Sequence, residues 1–326
     1  MLVPTISASA TDENKPQPWV RVAIVTDSQS VKVDSTGKVK LHKLESSDTL
    51  KLFESSRSLN FSISNKKVSL NGTDFKSDNG FALVPADDSS GVSVNGKSYR
   101  GFLRVVISNG KLTCVNVIKI EEYLWGVIPA EVPKEWPVEC LRAQAIAART
   151  YTLRALEQYP ERPFDVYATV IDQVYNGKKG EAPATTKACE DTLGQVCLFK
   201  GTPIIAYFHS CAGGWTASSE EMFGKYYPYL RAVPSRDSAV YRWTYKISTS
   251  SLTGLLRTNG YSVGTIRKLW VHRFSQEGRA EEIKVVHSDG VALVDGADLR
   301  RFCGPANIKS TYFSGVGQTA PAIPDK

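Results

Sequence analysis

The stretch EEYLWGVIPAEVPKEWPVECLRAQAIAARTYTLRALEQ, residues 121–158, separates strand-like from helical sequence in this chain. After Pro137, apolar or small residues recur every third or fourth position as far as Leu156, which is the spacing of one helix face. Pro137 suits the first helical position because its missing N–H has no partner there. The stretch therefore predicts two proline-bracketed acidic turns followed by a long Ala- and Arg-rich helix.

Glu131 is the first candidate for chemistry in this stretch. Apolar residues surround it in sequence, and an apolar setting raises the pKa of a carboxyl group, as a general acid requires near neutral pH. The nearby prolines 129 and 133 restrict its backbone. A turn glutamate that caps the helix or pairs with an arginine is the alternative, which the local sequence somewhat favours. Glu135 is the competing carboxylate, and helix capping explains it adequately.

Two arginines of the predicted helix are candidates for binding an anion. Arg142 and Arg149 lie seven residues apart and therefore share a helix face. Small alanines around Arg149 predict close packing, and a buried arginine requires an anionic partner. That partner could be a substrate carboxylate or an internal one, Glu131 or Asp165. The sequence favours the two roles about equally.

Two polar segments further along are candidate binding loops. In DQVYNG, residues 172–177, Gln173 and Tyr175 point the same way if the segment is extended, although a loop ending in Asn-Gly is the alternative. In HSCAGGWT, residues 209–216, His209 and Ser210 follow an apolar run, and loops at strand ends commonly carry function. His209 and Cys211 alone are too few ligands for zinc, and as a nucleophilic pair they are weakly supported.

Residues 19–120 read as mostly β, with short alternating segments separated by turn signals. Asn-Gly pairs at 95–96 and 109–110 predict tight hairpins. The expected fold is α+β, with a β-rich N-terminal portion and a mixed α/β core around the Ala/Arg-rich helix. We predict four segments: a flexible segment 1–18, a β-rich part 19–120, a core 121–317 and a flexible tail 318–326. Short helices are expected near 183–193, 250–260 and 297–304, and a last strand near 308–317.

Composition limits the classes of function. The 326-residue chain has 42% hydrophobic residues and a formal charge of +7, which favours anionic partners such as nucleic acid, acidic lipid or a wall polymer. The sequence lacks nucleotide-binding, zinc-protease and serine-hydrolase motifs and a basic-aromatic RNA signature, so we predict no cofactor and no nucleic-acid partner. It also lacks a CxxC pair, and Cys189 and Cys197 are the nearest candidates for a disulfide. No apolar run is long enough to span a membrane.

The N-terminus offers one hint about location. It lacks the basic and apolar regions of a signal peptide, but its Ala-Ser-Ala triplet, residues 8–10, resembles the end of one. A trimmed export signal and a plain flexible tail are equally simple interpretations.

Several separated segments resemble, in order, the signature of the SpoIID / amidase-enhancer (LytB) family. The resemblance covers roughly residues 20–313 and is carried by EEYLWGVIPAEVPKEWPVECLRAQAIAARTY, DQVYNG, DTLGQVCLFKGTPIIAYFHSCAGGWTASSEEMFG, YPYLRAVPS, SQEGRAEEIKVVHSDGVALVDGADLRRFCG and KSTYF. The catalytic glutamate of the family lies in a Glu-Met-Pro motif, and Glu131-Val132-Pro133 is the matching position. Arg149 and Arg142 match basic residues of the family signature.

This resemblance implies a peptidoglycan lytic transglycosylase that cuts between N-acetylmuramic acid and N-acetylglucosamine, prefers strands without stem peptides, and works beside a wall amidase. Such an enzyme needs one acid/base carboxylate, here Glu131. Arg142, Arg149, Gln173, Tyr175, His209 and Ser210 are the expected substrate-binding residues. Some members hold zinc near DQVYNG, but this chain has no Cys or His there, so no metal is expected. A non-catalytic glycan-binding enhancer of an amidase is the alternative, and either protein would act outside the cytoplasm.

Overall fold

The computed structural model describes residues 7–9, for which only the backbone is considered, and 17–313, except 45, 47, 73, 74, 157, 159 and 236–240. The chain divides into two compact units, Met1–Phe208 and His209–Lys326, each described separately below. The division predicted from sequence at 120/121 does not coincide with this boundary, which falls inside the predicted 121–317 core. The predicted flexible tail lies outside the described residues, as does most of the predicted segment 1–18.

The first unit contains sixteen strands and three α-helices among its described residues. Its strands are β1 (Ser7–Ser9), β2 (Trp19–Ser28), β3 (Ser30–Thr36), β4 (Val39–Lys43), β5 (Thr49–Phe53), β6 (Arg57–Ser64), β7 (Lys67–Leu70), β8 (Lys76–Ser77), β9 (Phe81–Pro85), β10 (Gly91–Val94), β11 (Lys97–Tyr99), β12 (Phe102–Ser108), β13 (Lys111–Lys119), β14 (Val166–Tyr167), β15 (Val196–Phe199) and β16 (Thr202–Pro203). Its α-helices are α1 (Ile120–Glu131), α2 (Val138–Leu156) and α3 (Pro183–Asp191).

Two large sheets and the first two helices enclose the core of this unit. One sheet has the order β11-β10-β3-β6-β7-β8, and the other has the order β14-β2-β13-β12-β9-β4-β5. All pairs are antiparallel except β14 with β2. The sheets face each other, as the rings of Phe61 and Phe81 illustrate with centroids 5.9 Å apart. Buried side chains of α1 and α2 join the same apolar cluster.

The second unit has its own small core. It contains α4 (Ser219–Phe223), α5 (Thr249–Thr258), the antiparallel strands β17 (Ile266–Phe274), β18 (Ala280–His287) and β19 (Gly290–Asp295), and α6 (Gly296–Cys303). Apolar side chains of α5, α6 and the sheet form a separate buried cluster. Both units together confirm the expected α+β class, with the strands concentrated in the N-terminal part.

Local sequence signals predicted many of these elements. Asn95-Gly96 and Asn109-Gly110 adopt positive φ in two-residue turns between β10 and β11 and between β12 and β13. The long helix begins at Val138, directly after Pro137, as predicted. Cys189 and Cys197, the nearest candidates for a disulfide, are free thiols in the structure. No described helix is long and apolar enough to cross a membrane.

Three expectations are corrected. Residues 120–131 form a helix rather than turns, because the helix tolerates Pro129 in its last turn, where only one backbone hydrogen bond is lost. The predicted last strand is absent from 308–313, where Ile308 instead packs into the core of the second unit, and 314–317 lie outside the described residues. Ser7–Ser9, expected to be flexible, pairs with β15 as an edge strand.

Candidate active site

Glu131 is the last residue of α1, which continues directly from strand β13 without a loop. The side chain is half-buried, and Oε1 accepts a hydrogen bond of 2.7 Å from the backbone N–H of Val174. Burial raises the pKa of the Glu131 carboxyl above its ordinary value, and the Val174 N–H opposes this by favouring the ionised form. Glu131 is therefore held in place and biased towards the protonated form, while remaining able to ionise.

The segment that supplies this N–H is fixed by buried hydrogen bonds on both sides of Val174. Gln173 is fully buried, and its Oε1 accepts hydrogen bonds from Thr152 Oγ1 at 2.9 Å and from Tyr123 Oη at 3.3 Å. The buried Tyr175 hydroxyl donates to Asn116 Oδ1 over 3.1 Å. The two side chains point the same way, as the alternation predicted, and that direction is inward. Their burial leaves almost no surface for the expected sugar contacts.

Gly126 lets this segment approach α1 closely. A Cβ at this position would lie 2.6 Å from Cε2 of Tyr175 and 3.1 Å from the carbonyl oxygen of Gly177. Such distances require a neighbour to move, and Tyr175 also packs against Tyr123 with ring centroids 5.0 Å apart. The absence of a side chain at Gly126 therefore helps to set the position of the Val174 N–H relative to Glu131.

Gly126→Ala should consequently destabilise the protein by about 1–3 kcal/mol, as overpacking in a filled core usually does. It should also slow any reaction that depends on Glu131, because displacing Tyr175 moves Val174. The stability change is measurable by urea denaturation. Gly254→Ala in α5 is the matched control, since a Cβ added there would meet no atom within 4 Å. Alanine at this helix position should raise the free energy of unfolding by at most about 1 kcal/mol. Equal stability of Gly126→Ala and the wild type would contradict this account.

Asp172 is a second carboxylate in the same segment, and the sequence did not reveal its role. Its Oδ1 accepts a 2.6 Å hydrogen bond from the hydroxyl of Tyr151, and its Oδ2 accepts a 2.8 Å hydrogen bond from the backbone N–H of Tyr167. Both oxygens are thus engaged in tying α2 and β14 to the segment. Since these contacts join residues 5 and 21 positions apart, no local motif could have disclosed them.

Arg149 is 1% exposed, and its partner is Glu121 rather than Glu131 or Asp165. Nε and Nη2 each donate to a different oxygen of Glu121 over 2.7 Å. Further hydrogen bonds reach the carbonyl oxygens of Gln195 and Cys189, both at 3.1 Å. These partners occupy the guanidinium and leave almost no surface for a ligand, so the geometry supports the internal ion pair over the expected substrate contact. Asp165 instead pairs with Arg21 at 2.6 Å.

Arg142 is the more accessible of the two helix arginines. Its side chain is 36% exposed and donates to Glu139 and to Asp191, each over 2.6 Å. Lys187 also bonds to Asp191, which makes this a surface network of charges. Arg142 therefore retains exposed surface for an anionic group, although two carboxylates already contact it.

The remaining expected site residues lie in the second unit. His209 and Ser210 are both exposed at its beginning, outside regular secondary structure. Within the described parts of the chain, no group of three or more His, Cys, Asp and Glu side chains is arranged to hold a metal ion.

Exposed apolar side chains occur on the segments that carry the site, and the sequence had not singled them out. Trp136 follows Glu131 before α2, and Val170 and Ile171 immediately precede Asp172. Tyr207 lies with its ring centroid 6.1 Å from that of Tyr151, the partner of Asp172. Such side chains can pack against the apolar faces of sugar rings.

Comparison with known proteins shows which families and proteins the chain resembles. A family model described as stage II sporulation protein (SpoIID) matches residues 108–199. An uncharacterized protein of Brachyspira hyodysenteriae is 33% identical over 233 residues, covering 70% of this chain and 62% of that protein. The amidase enhancer of Bacillus subtilis is 30% identical over 203 residues, covering 58% of this chain and 28% of that protein.

Stage II sporulation protein D of Bacillus amyloliquefaciens is 32% identical over 136 residues, covering 37% of this chain and 40% of that protein. The alignments thus span less than two thirds of the length of each of these relatives. The matched segment 108–199 contains Glu131 and the segment that bonds to it, but neither His209 nor Ser210. The chain therefore carries a segment of the SpoIID family, and its named relatives include stage II sporulation protein D and the amidase enhancer.

Proposed function

We propose that the protein is a peptidoglycan lytic transglycosylase in which Glu131 is the single acid/base. The observation that carries this proposal is the half-buried Glu131 carboxyl, fixed at a helix end by the Val174 N–H and biased by burial towards its protonated form. A general acid needs this combination of fixed geometry and raised pKa. Family membership and the names of the relatives support a role at the cell wall.

In the proposed reaction, protonated Glu131 donates its proton to the oxygen of the bond between N-acetylmuramic acid and N-acetylglucosamine. The bond from C1 to that oxygen breaks, and the leaving sugar keeps the electron pair and the proton. The ionised carboxylate, stabilised by the Val174 N–H, then accepts a proton from the 6-hydroxyl of the muramic acid. The 6-oxygen bonds to C1 and gives a 1,6-anhydro sugar, so that water takes no part.

The arrangement of carboxylates supports lytic over hydrolytic cleavage. Hydrolytic glycosidases usually employ two carboxyl groups, one of which activates water or attacks the sugar. Asp172, the other acidic side chain in this segment, has both oxygens engaged by Tyr151 and the Tyr167 N–H. Its two internal hydrogen bonds favour a structural role for Asp172 over that of a nucleophile or base, whereas a lytic reaction requires Glu131 alone.

The charge and the exposed side chains suggest how the strand would bind. Muramic acid without a stem peptide carries a free lactyl carboxylate, which suits the net charge of +7 and the exposed part of Arg142. Trp136 and Tyr207 could pack against sugar rings. We further propose that the protein acts outside the cytoplasm, where this polymer lies, and beside a wall amidase.

The test is the product formed from glycan strands stripped of stem peptides. Incubation with the protein should release fragments that end in 1,6-anhydromuramic acid, detected by mass spectrometry as a mass lower by one water than the hydrolytic product. Fragments with ordinary reducing ends would instead indicate hydrolysis. Intact strands that nevertheless bind the protein would contradict an enzymatic role.

A second candidate function is a non-catalytic glycan-binding protein that stimulates a wall amidase. The observation in its favour is the name of one relative, amidase enhancer. It predicts that strands remain uncut, while the rate at which an N-acetylmuramoyl-L-alanine amidase removes stem peptides rises when the protein is added. Cleavage of strands in the absence of any amidase would exclude this as the sole function.

A further inference from the structure

A cavity of about 190 Å³ lies within the second unit, beside α4 and the sheet β17-β18-β19. At about 30 Å³ for each water molecule in the liquid, this volume accommodates several waters or one small polar group with a short alkyl chain. Charged and polar side chains dominate its lining: Glu220, Glu221, Arg273, Glu281, Asp295 and Thr311. The cavity therefore has the size and chemistry of a site for a small polar ligand.

Glu221 has an unpaired oxygen at this cavity. Oε1 is buried and has no hydrogen-bond partner among the residues that the structure describes. A buried polar atom without a partner is unfavourable by about 1–3 kcal/mol, so native proteins rarely leave one unexplained. Burial raises the pKa of Glu221 to about 7, against the lowering effect of Arg279. A donor group in the cavity would remove this penalty.

Thr311 provides an independent second observation. Its side chain is 2% exposed and lines the same cavity, and Oγ1 is buried without a hydrogen-bond partner in the described part of the chain. A threonine hydroxyl oxygen can accept a hydrogen bond. Glu221 and Thr311 thus line one small space, and each carries a buried acceptor without a partner among the described residues.

The other carboxylates of the lining are already engaged. Glu220 forms a salt bridge with Arg231, and Glu281 lies 3.4 Å from Arg273. Asp295 caps α6 by accepting hydrogen bonds from the backbone N–H groups of Ala297 and Asp298, at 2.8 and 3.0 Å. Glu221 is consequently the carboxylate of this lining for which the structure gives no bonded partner.

Arg279 acts on Glu221 through its charge, and the structure gives no hydrogen bond between the two side chains. Arg279 lowers the pKa of Glu221 through its charge, but its Nη2 donates to the carbonyl oxygens of Ala212 and Trp215, at 3.0 and 2.7 Å. Its Nη1 donates to Ser310 Oγ at 3.2 Å. Glu220, Glu277 and Glu281 oppose Arg279 by raising the same pKa. The carboxylates around Glu221 therefore favour a positively charged ligand in the cavity.

We propose that this cavity binds a primary ammonium group, with Glu221 as its counter-ion and Thr311 Oγ1 as a second hydrogen-bond acceptor. An ammonium carries three N–H donors on one compact atom, which suits a small space whose lining residues carry several acceptors. Its charge meets the unpaired carboxylate, and the remaining volume takes the first carbons of an alkyl chain. The site is independent of Glu131 and of glycan cleavage.

The probe for this proposal is n-butylammonium chloride, followed by NMR of protein labelled with ¹³C in its glutamate carboxyl groups. We expect the Glu221 signal to shift in a saturable manner and its pKa to fall when the amine is present. Binding should tighten as the pH rises through about 7, because the ionised form of Glu221 is the one that attracts the cation. n-Butanol lacks the charge, and tetramethylammonium lacks N–H donors, so neither should reproduce the shift.

Matched variants identify the residues responsible. Glu221→Gln should weaken n-butylammonium binding by roughly tenfold or more, which corresponds to about 1.4 kcal/mol. Thr311→Val should weaken it less, because it removes an acceptor but no charge. Glu277→Gln removes the same charge from a residue outside the lining, which acts on Glu221 through its charge alone, so it should weaken binding less than Glu221→Gln does. Since the pKa measurement uses the wild-type protein, its outcome does not depend on the folding of any variant.

Three results would overturn the proposal. These are a Glu221 signal that does not respond to n-butylammonium, equal responses to n-butanol or tetramethylammonium, and equal weakening by Glu221→Gln and Glu277→Gln. None of them bears on glycan cleavage, since that activity is read from a different product and assigned to a different residue.

Discussion

Glu131→Gln is expected to lower the rate at which anhydromuramic ends form by about 10²–10⁴-fold, the usual contribution of one general acid or base. The amide cannot donate a proton to the leaving oxygen or accept one from the 6-hydroxyl. Its carbonyl oxygen can still accept the hydrogen bond from Val174, so the local structure and glycan binding should persist. Product formation is measured by mass spectrometry, and binding is measured separately by sedimentation with insoluble glycan.

Glu135→Gln is the matched control. Glu135 is exposed and lies only four positions further along the chain, so this variant loses the same charge without touching the proposed acid. It should retain the wild-type rate. The wild-type rate should also decline as the pH rises through the raised pKa of Glu131, because the ionised carboxylate cannot start the reaction. Full activity of Glu131→Gln, or equal losses in the two variants, would contradict the assignment.

Glu121→Gln should produce the largest loss of stability, about 3–5 kcal/mol, because it leaves the charge of Arg149 buried without a counter-ion. Both side chains are almost fully buried, with 7% and 1% of their surface exposed, and they share two hydrogen bonds of 2.7 Å. The pair links α1 to α2 and, through the carbonyl oxygen of Cys189, to α3. The free energy of unfolding measured by urea denaturation is the readout.

A surface pair gives the scale for comparison. Lys38 and Glu54 lie 3.0 Å apart, but their side chains are 52% and 63% exposed, so Glu54→Gln should change stability by only about 0–1 kcal/mol. Replacing both buried partners, as in Glu121→Leu with Arg149→Met, should recover part of the loss because no lone charge remains. If Glu121→Gln were as mild as Glu54→Gln, the buried pair would have no special role in holding the helices.

Helices and hairpins that depend on neighbouring residues were predictable from the sequence. The helix after Pro137 follows from the spacing of its apolar residues and from the proline at its start. The hairpins at Asn95-Gly96 and Asn109-Gly110 follow from residues that tolerate positive φ. Helix α1 was missed because Pro129 is an unfavourable residue inside a helix, and tertiary packing of residues such as Tyr123 and Val127 outweighs that preference.

The contacts that define the site were not predictable because they are distant in sequence. Glu131 meets Val174 across 43 positions, and Arg149 meets Glu121 across 28. The alternation around Gln173 did predict that it and Tyr175 point the same way, but not that this direction is inward. A lone sequence contains no signal that distinguishes a buried polar residue with internal partners from one that faces a substrate.

Strand β13 continues directly into helix α1. This continuity restricts the number of residues in this part of the chain more strongly than it restricts which residues they are. Glu131 closes a twelve-residue helix whose first residue follows the strand immediately. Because each residue turns an α-helix by about 100° and advances it by about 1.5 Å, one deletion or insertion between them would swing the carboxyl away from the Val174 N–H. Exposed side chains along α1 should therefore tolerate substitution, whereas the number of residues between Lys119 and Glu131 should tolerate no change.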